Sequence, residues 1–219
     1  MIIDLPETSK DETIIINDYM KVENGILKLN FPISFQDCMY DLTYFIKGKD
    51  NCFYCSRAIV ENKMTLDHLI PQDFGGPTIP NNLFPTCKKC NCEKSNMLNP
   101  IYNKYLNLPT SSDKKQFTTD FQSIAFFIHR WYGFDFIKDW VEEKEIDNII
   151  VNISLDSSYR GKKYKKIKEF YRKYKHFQKP IIVDRKNFLL DGFTALMYAK
   201  DNQIKKVPVI VLENVEVVF

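Results

Sequence analysis

Long apolar runs are missing from this 219-residue sequence, and no stretch approaches the roughly 18 consecutive apolar residues that a membrane-spanning helix needs. The first residues, MIIDLPETSKDE, are acidic and lack the cationic start and apolar centre of a secretory signal. Internal repeats and low-complexity tracts are also missing. We therefore expect a cytoplasmic globular protein with no membrane partner, whose length allows two modest domains.

Acidic residues are almost absent from one segment. Between Arg160 and Lys179, ten Lys and Arg side chains accompany a single acid, although the whole chain has a formal charge of only +3. Residues 1–48 have the opposite balance, with eight acids and four lysines. A local basic surface favours a polyanionic partner. The cations expected to contact nucleic acid are Lys162, Lys163, Lys165, Lys166, Arg172 and Lys173. A solvated helix face with Tyr and Phe in the core is the other interpretation.

Four of the six cysteines form two Cys-x-x-Cys pairs, Cys52/Cys55 and Cys87/Cys90. Two such turns can bring four thiolates to one tetrahedral zinc ion, which favours a structural zinc site over a redox dithiol or a coincidence of spacing. This usage also indicates a reducing cytosol more than a disulfide framework. We expect Cys38 and Cys92 to lie outside the metal site.

Apolar periodicity and turn signals indicate how the chain is organised. A Ser34-x-x-Asp37 capping signature precedes a predicted helix over 35–47, and Asn24-Gly25 predicts a hairpin turn. The region around the cysteine pairs predicts a strand, a loop, a second strand and a helix from about Lys88 to Met97. Pro109–Lys115 is linker-like. The predicted parts are an N-terminal segment (1–48), a compact site unit (49–108), a helical bridge (109–145, with helices over 119–133 and 135–145) and a small α/β unit (146–219, with a strand over 149–153).

An Asp-His dipeptide lies between the cysteine pairs. The run Asp67-His68-Leu69-Ile70-Pro71 is followed by Gly75-Gly76, Asn82-Leu83 and Cys87-x-x-Cys90-Asn91-x-x-Lys94. This order resembles the zinc-stapled branch of the HNH, or ββα-metal, endonucleases over about a fifth to a quarter of the chain. The expected fold class is therefore α+β: a zinc-stapled ββα-metal nuclease unit with flanking helices, plus a small α/β domain.

The chemistry of phosphodiester hydrolysis suits these residue types. Water must lose a proton, and a neutral imidazole can accept it at physiological pH, so His68 is the expected general base. The resemblance implies that Asp67 and the side-chain carbonyl of Asn91 bind a hard catalytic ion, Mg²⁺ or Mn²⁺. It also implies that Asn82 braces the loop that positions His68 and that Lys94 contacts phosphate. Many family members have His where this chain has Asn91. The Asn91 side chain still offers an oxygen atom as a metal ligand.

The C-terminal stretch PIIVDRKNFLLDGFTALMYAKDNQIKKVPVIVLE resembles the ParB N-terminal/sulfiredoxin-like fold. The resemblance lies in a Pro-Ile-x-Val strand, a Gly that opens a helix, and a Val-Pro-Val strand. Nucleotide-using members carry an Arg after that Gly, whereas this chain has Gly192-Phe193-Thr194-Ala195, and the sulfiredoxin Cys is missing too. The resemblance therefore implies a DNA-binding or partner-binding scaffold more than nucleotide turnover. Nucleotide sensing that gates cutting stays as a separate hypothesis.

Two functions from different classes follow. The first is a metal-dependent endonuclease or nickase that acts on DNA, with RNA left open as a substrate. The second is a non-catalytic zinc-stapled DNA-binding or regulatory module, as a subunit of a larger complex. One such nuclease centre cuts one strand, so double-strand breaks would need two protomers or two encounters. A homodimer therefore also stays open.

Overall fold

The computed structural model describes residues 1–9, 12–30, 34–48, 50–59, 64–131, 134–151 and 161–218, with the backbone alone at 126–131. Helices and strands are both abundant, which confirms the expected α+β class. Among these residues, no helix combines the length and the apolar character needed to cross a membrane.

The N-terminal part is an antiparallel sheet covered by a helix. Strands β1 (Thr13–Asn17), β2 (Met20–Glu23) and β3 (Ile26–Leu29) follow one another, and helix α1 spans Phe35–Lys47. Asn24 and Gly25 both have positive φ, as a two-residue hairpin turn requires, so the predicted turn is confirmed. Ser34 accepts a hydrogen bond from the Asp37 backbone N–H at 3.2 Å, which confirms the predicted helix start.

The site unit is a hairpin followed by a short helix. Strands β4 (Met64–His68) and β5 (Leu83–Cys87) pair antiparallel, and α2 (Lys88–Lys94), α3 (Asn99–Leu106) and α4 (Ser111–Trp131) follow. Helix α2 ends at Lys94 and is therefore shorter than predicted. The next residue, Ser95, has positive φ, which does not continue an α-helix. The linker-like stretch 109–115 is helical from Ser111 onward, because Thr110 caps α4 by accepting the Asp113 N–H at 3.1 Å.

The C-terminal part is a mixed sheet with two helices. Its elements are β6 (Glu142–Glu145), α5 (Lys162–Tyr174), β7 (Ile181–Asp184), β8 (Leu189–Asp191), α6 (Phe193–Asp201), β9 (Lys206–Leu212) and β10 (Val215–Val217). The sheet order is β6-β9-β7-β8, with β7 parallel to β9.

Two predictions near the start of this part need correction. The helix predicted over 135–145 is a 3-10 helix at Asp135–Trp140 followed by strand β6. Strand β6 forms because Glu142–Glu145 pair with the edge of β9. Of the strand predicted over 149–153, Ile150 forms a parallel bridge with Phe188, and residues 152 and 153 lie outside the described residues.

The first and last parts of the chain share one sheet and one core. Strand β10 pairs in parallel with β3, which gives the order β1-β2-β3-β10. The largest core cluster combines residues of β2, β3 and α1, such as Leu27 and Met39, with Ile210 and Val215 from the C-terminal part. The α1 residue Lys47 also donates to the carbonyls of Pro80 and Leu83 at 2.6 and 2.8 Å. Helix α1 therefore joins the site unit to this shared core.

Glu216 on β10 supports a stability prediction. Its carboxylate contacts Lys186 at 2.6 Å and Lys28 of β3 at 3.0 Å. Hydrogen bonds from Lys186 and then Lys28 lower the pKa of Glu216 to about 2. A lowered carboxyl pKa stabilises the fold above the ordinary value near 4.5 and loses that effect as pH falls toward 2. We expect Glu216→Gln to reduce the free energy of unfolding by about 0.5–1 kcal/mol at pH 7, with the loss narrowing below pH 4.5.

Urea denaturation across this pH range measures the effect. Glu143→Gln is the matched control, because Glu143 is an exposed strand residue that forms no ion pair within the described part of the chain. A loss that stays the same between pH 7 and pH 3.5 would contradict the assignment.

Candidate metal centre and active-site cleft

The four paired cysteines converge on one point. The Sγ atoms of Cys52, Cys55, Cys87 and Cys90 all lie within 4.8 Å of one another. A zinc ion with four thiolates needs S–S separations of roughly 3.8 Å, given Zn–S distances near 2.3 Å. The donor set and its closeness therefore fit a four-coordinate metal ion.

Local backbone geometry forms this cage. The Cys52 carbonyl accepts the Ser56 N–H at 2.8 Å, and Ser56 has a positive φ that closes the turn. The Phe53 N–H donates to the Pro85 carbonyl at 2.9 Å, so the knuckle lies against β5. Cys87 ends β5 and Cys90 lies in the first turn of α2. Cys38 is buried in the main core, and Cys92 is exposed on α2, so neither belongs to the cage.

Asp67 lies in a buried ion pair beside the cage. Its Oδ2 contacts the Lys94 Nζ at 2.9 Å and accepts a hydrogen bond from the Tyr54 hydroxyl at 2.7 Å, while Oδ1 accepts from Lys94 at 3.2 Å. Asp67 is 4% exposed and Lys94 is fully buried. Burial raises the pKa of Asp67, and the charge of Lys94 opposes that rise. Burial likewise lowers the pKa of Lys94, against the charge of Asp67.

Lys94 also donates to the main-chain carbonyl of His68 at 2.8 Å. The Lys94 ammonium is fully buried and contacts Asp67 and the His68 carbonyl, and the contact between Lys94 and phosphate stays a prediction. These contacts fix the strand end that carries both residues.

His68 lies at the end of β4 in a network of polar side chains. Its Nε2 is 2.9 Å from the Thr78 Oγ1 and 3.2 Å from the Gln72 Nε2. Gln72 also donates to Thr78 at 3.0 Å and accepts from the Lys179 Nζ at 2.8 Å. Burial first, and then the positive charges of Lys179 and Lys94, lower the pKa of His68 to about 4. The imidazole is therefore neutral at physiological pH.

Asn82 holds the loop that carries Thr78. Its Oδ1 accepts from the Ile70 N–H at 2.8 Å, and its Nδ2 donates to the carbonyls of Ile70 and Pro77 at 3.0 and 2.9 Å. The loop is closely packed at Gly76, where an added Cβ would lie 1.8 Å from the Ile70 carbonyl oxygen. Asn82 is 1% exposed, so its side chain binds the loop backbone from the protein interior.

An open cleft of about 480 Å³ brings the predicted residues together. Asp67, His68 and Asn91 all line it. The Asn91 Nδ2 donates to the Thr65 Oγ1 at 2.9 Å, and no hydrogen bond within the described residues uses its Oδ1. A carboxylate and an amide oxygen are donors that hard divalent ions accept, so the pair fits such an ion. Asp67 already contacts Lys94 and Tyr54, so only part of its acceptor capacity is left for a cation.

The predicted nucleic-acid-binding residues divide into two groups. All six are exposed on α5. Lys163 and Lys166 line a second cleft, which adjoins the first at Gln36 and Gln72. Lys162, Lys165, Arg172 and Lys173 do not line it.

Sequence reasoning missed Tyr54, Gln72, Asp73, Thr78 and Lys179. Tyr54 and Gln72 stand directly beside motif residues, which was the available signal for them. Asp73 lines the first cleft and accepts a hydrogen bond from Asn96. Lys179 carries no local signal, because its contact with Gln72 joins distant parts of the chain.

Comparison with known proteins agrees with this geometry. Residues 52–106 match the family model of the HNH endonucleases, and this stretch spans both cysteine pairs, the hairpin, α2 and α3. The chain thus contains an HNH domain. No curated protein matches the chain. Among solved structures, a Pnob8-like ParB-N domain is 21% identical with a TM-score of 0.26, and the match covers 32% of this chain and 28% of that one.

The cage supports a prediction about metal content. We expect Cys90→Ser to lose the bound metal ion and to melt at a lower temperature, because a structural thiolate site contributes directly to folding. Cys92→Ser changes an exposed thiol on the same helix and should keep about one ion per chain. Elemental analysis and thermal unfolding of both purified variants measure this. Full metal content in Cys90→Ser would contradict the cage.

The loop supports a second prediction. We expect Gly76→Ala to lower the free energy of unfolding by about 1–3 kcal/mol, because the new methyl group overlaps the Ile70 carbonyl. Gly161→Ala is the control, since nothing lies within 4 Å of a Cβ there and the poorer N-cap costs less than about 1 kcal/mol. Equal urea midpoints for the two variants would count against the close packing of this loop.

Proposed function

We propose that this protein is a metal-dependent endonuclease or nickase that hydrolyses phosphodiester bonds in DNA, with His68 as the general base. One observation carries the proposal: a neutral His68 shares an open cleft with Asp67 and Asn91 inside an HNH domain. The cleft is wide and polar, as an extended polyanion requires, and it adjoins exposed lysines on α5.

The proposed role requires one tautomer of His68, in which the Gln72 amide donates to the Thr78 Oγ1 rather than to the ring. With the proton on Nε2, the ring donates to the Thr78 Oγ1 and leaves the Nδ1 lone pair for a water molecule. Thr78 is then a positioning residue, held in place by the Asn82-braced loop. Water gives its proton to Nδ1 as its oxygen attacks phosphorus, and the bond to the leaving oxygen breaks.

Asp67 and Asn91 would hold the catalytic cation. A divalent ion bound there supplies Lewis-acid stabilisation for negative charge on the phosphoryl and leaving oxygens. Lys94 and Tyr54 fix the Asp67 carboxylate in one orientation. Thr65 fixes the Asn91 amide so that its oxygen remains available. Zinc is the proposed ion of the four-cysteine cage, because tetrahedral thiolate coordination is its preferred structural site.

A second candidate function is a non-catalytic, zinc-stabilised DNA-binding module. One specific observation favours it: both oxygens of Asp67 contact Lys94, and one also contacts Tyr54. In that case Asp67 would be a structural residue of a buried ion pair, and the cleft would bind DNA without cutting it.

Cleavage of supercoiled plasmid separates the two functions. We expect nicked product with Mg²⁺ or Mn²⁺, and a loss of about 100-fold or more in rate for His68→Ala, as removal of a general base predicts. His176→Ala is the matched control, since this histidine contacts Phe177 and neighbouring aromatic rings outside the cleft.

Binding of the same DNA must be measured alongside, so that lost activity is not lost affinity. If the wild-type protein leaves supercoiled, linear and single-stranded DNA intact with either metal, the nuclease proposal fails. DNA binding that persists in that case, unchanged by His68→Ala, would support the second candidate.

A further inference from the structure

We propose that Lys163, Lys166 and Lys179 form a phosphate-binding groove that holds the DNA backbone next to the phosphodiester presented to His68. This inference rests on the proposed function. It assigns the groove jointly to the HNH domain and the C-terminal part, so the latter would help to build the substrate site.

Two walls from different parts of the chain form the groove. One wall is the HNH loop, with Gln72 and Gly75–Thr78, and the other contains the three lysines and the start of α6. The cavity between them measures about 250 Å³. Gln36 and Gln72 line both this cavity and the His68 cleft, so the two adjoin at these side chains.

Lys179 marks the junction of the two clefts. Its Nζ donates to the Gln72 Oε1 at 2.8 Å, and the amide nitrogen of the same Gln72 is 3.2 Å from the His68 Nε2. One side chain therefore separates a lysine ammonium from the proposed base. A strand whose phosphates contacted Lys179 would pass directly beside His68.

The charge balance of the groove favours an anion. Lys163 and Lys166 are neighbours on one face of α5, three residues apart. In the part of the chain that the structure describes, no ion pair includes any of the three lysines. Desolvation lowers the pKa of Lys179, Asp191 raises it, Lys163 lowers it again and Asp73 raises it, so Lys163 and Lys179 repel each other while the two carboxylates partly offset that repulsion.

Two other groups face the groove. The Asp191 carboxylate opposes an anion, but its Oδ1 already accepts the Gly192 N–H at 2.7 Å. Gly192 is also the N-cap of the nine-residue α6, and no side chain caps that end. The partial positive charge of this helix end therefore adds to the three lysines.

Helix α5 provides its own control. Lys162 and Lys165 are exposed on the same helix as Lys163 and Lys166 but do not line the groove. A merely basic helix would bind DNA through both pairs equally. The proposed groove predicts that only one pair matters.

The test uses fluorescence anisotropy with labelled duplex and single-stranded oligonucleotides. All proteins carry His68→Ala, so that binding is measured without cleavage. We expect Lys163→Gln with Lys166→Gln to weaken binding about 10-fold and to reduce the salt slope by about two, as the loss of two phosphate contacts predicts. Lys162→Gln with Lys165→Gln should weaken it less than about threefold. Lys179→Gln removes one groove cation, so it should weaken DNA binding less than the double variant does and reduce the salt slope by about one.

Equal effects of the two double variants would overturn the groove. Displacement of labelled DNA by micromolar pyrophosphate or free nucleotide would also overturn it, since the site would then take small phosphates. Plasmid cleavage by the unmodified protein is measured in parallel. If the unmodified protein cleaves plasmid and the two double variants bind DNA equally well, the nuclease proposal stands and the groove proposal fails. If it does not cleave plasmid and the two double variants differ in DNA affinity, the nuclease proposal fails and the groove proposal stands.

Discussion

The ion pair between Lys94 and Asp67 is the interaction on which the geometry of the cleft depends. Lys94 is fully buried and Asp67 nearly so, which makes each charge costly unless the other is in place. The pair joins α2 to β4. Tyr54, which lies between Cys52 and Cys55, connects the first cysteine turn to the pair by donating a hydrogen bond to Asp67. The metal cage and the proposed catalytic residues are therefore one cooperative unit, because displacement of the knuckle also removes a partner of Asp67.

A second constraint comes from the shared sheet. Because β10 pairs with β3, the C-terminal part is fixed to the N-terminal sheet and to α1, whose Lys47 contacts the site unit. The loop between β4 and β5 rests on the same core through Ile79. These contacts bring Lys179 to Gln72 from a distant part of the chain. The C-terminal part thus influences the charge around His68 without belonging to the HNH domain.

The HNH residues could be predicted because short distances in sequence fix their distances in space. Cys87, Cys90, Asn91 and Lys94 lie on one strand end and the helix that follows. Their sequence spacing therefore determines their relative positions in space. The ion pair between Lys94 and Asp67 could not be predicted, because spacing does not show which way a lysine side chain points. Helix α1 was predictable for the same local reason, since its cap and its apolar face are both written in consecutive residues.

Long-range features left no comparable signal. The pairing of β10 with β3 joins nearly the two ends of the chain, and each strand alone is compatible with several sheets. Strand β6 consists of charged residues without apolar alternation, so only its pairing with β9 makes it a strand. The sequence 109–115 contains both a proline typical of loops and the Thr110 cap of α4, and local composition does not decide between them.

The position of Asp67 also constrains how the proposed cation would bind. Lys94 already compensates the carboxylate charge, so a divalent ion at Asp67 would meet a nearly neutral pair and the neutral amide oxygen of Asn91. Two such ligands offer little electrostatic attraction on their own. The phosphate of bound DNA would supply the missing negative charge and further oxygen ligands. In the proposed function, cation binding and DNA binding are therefore coupled, and the groove cations act before the metal ion is fully held.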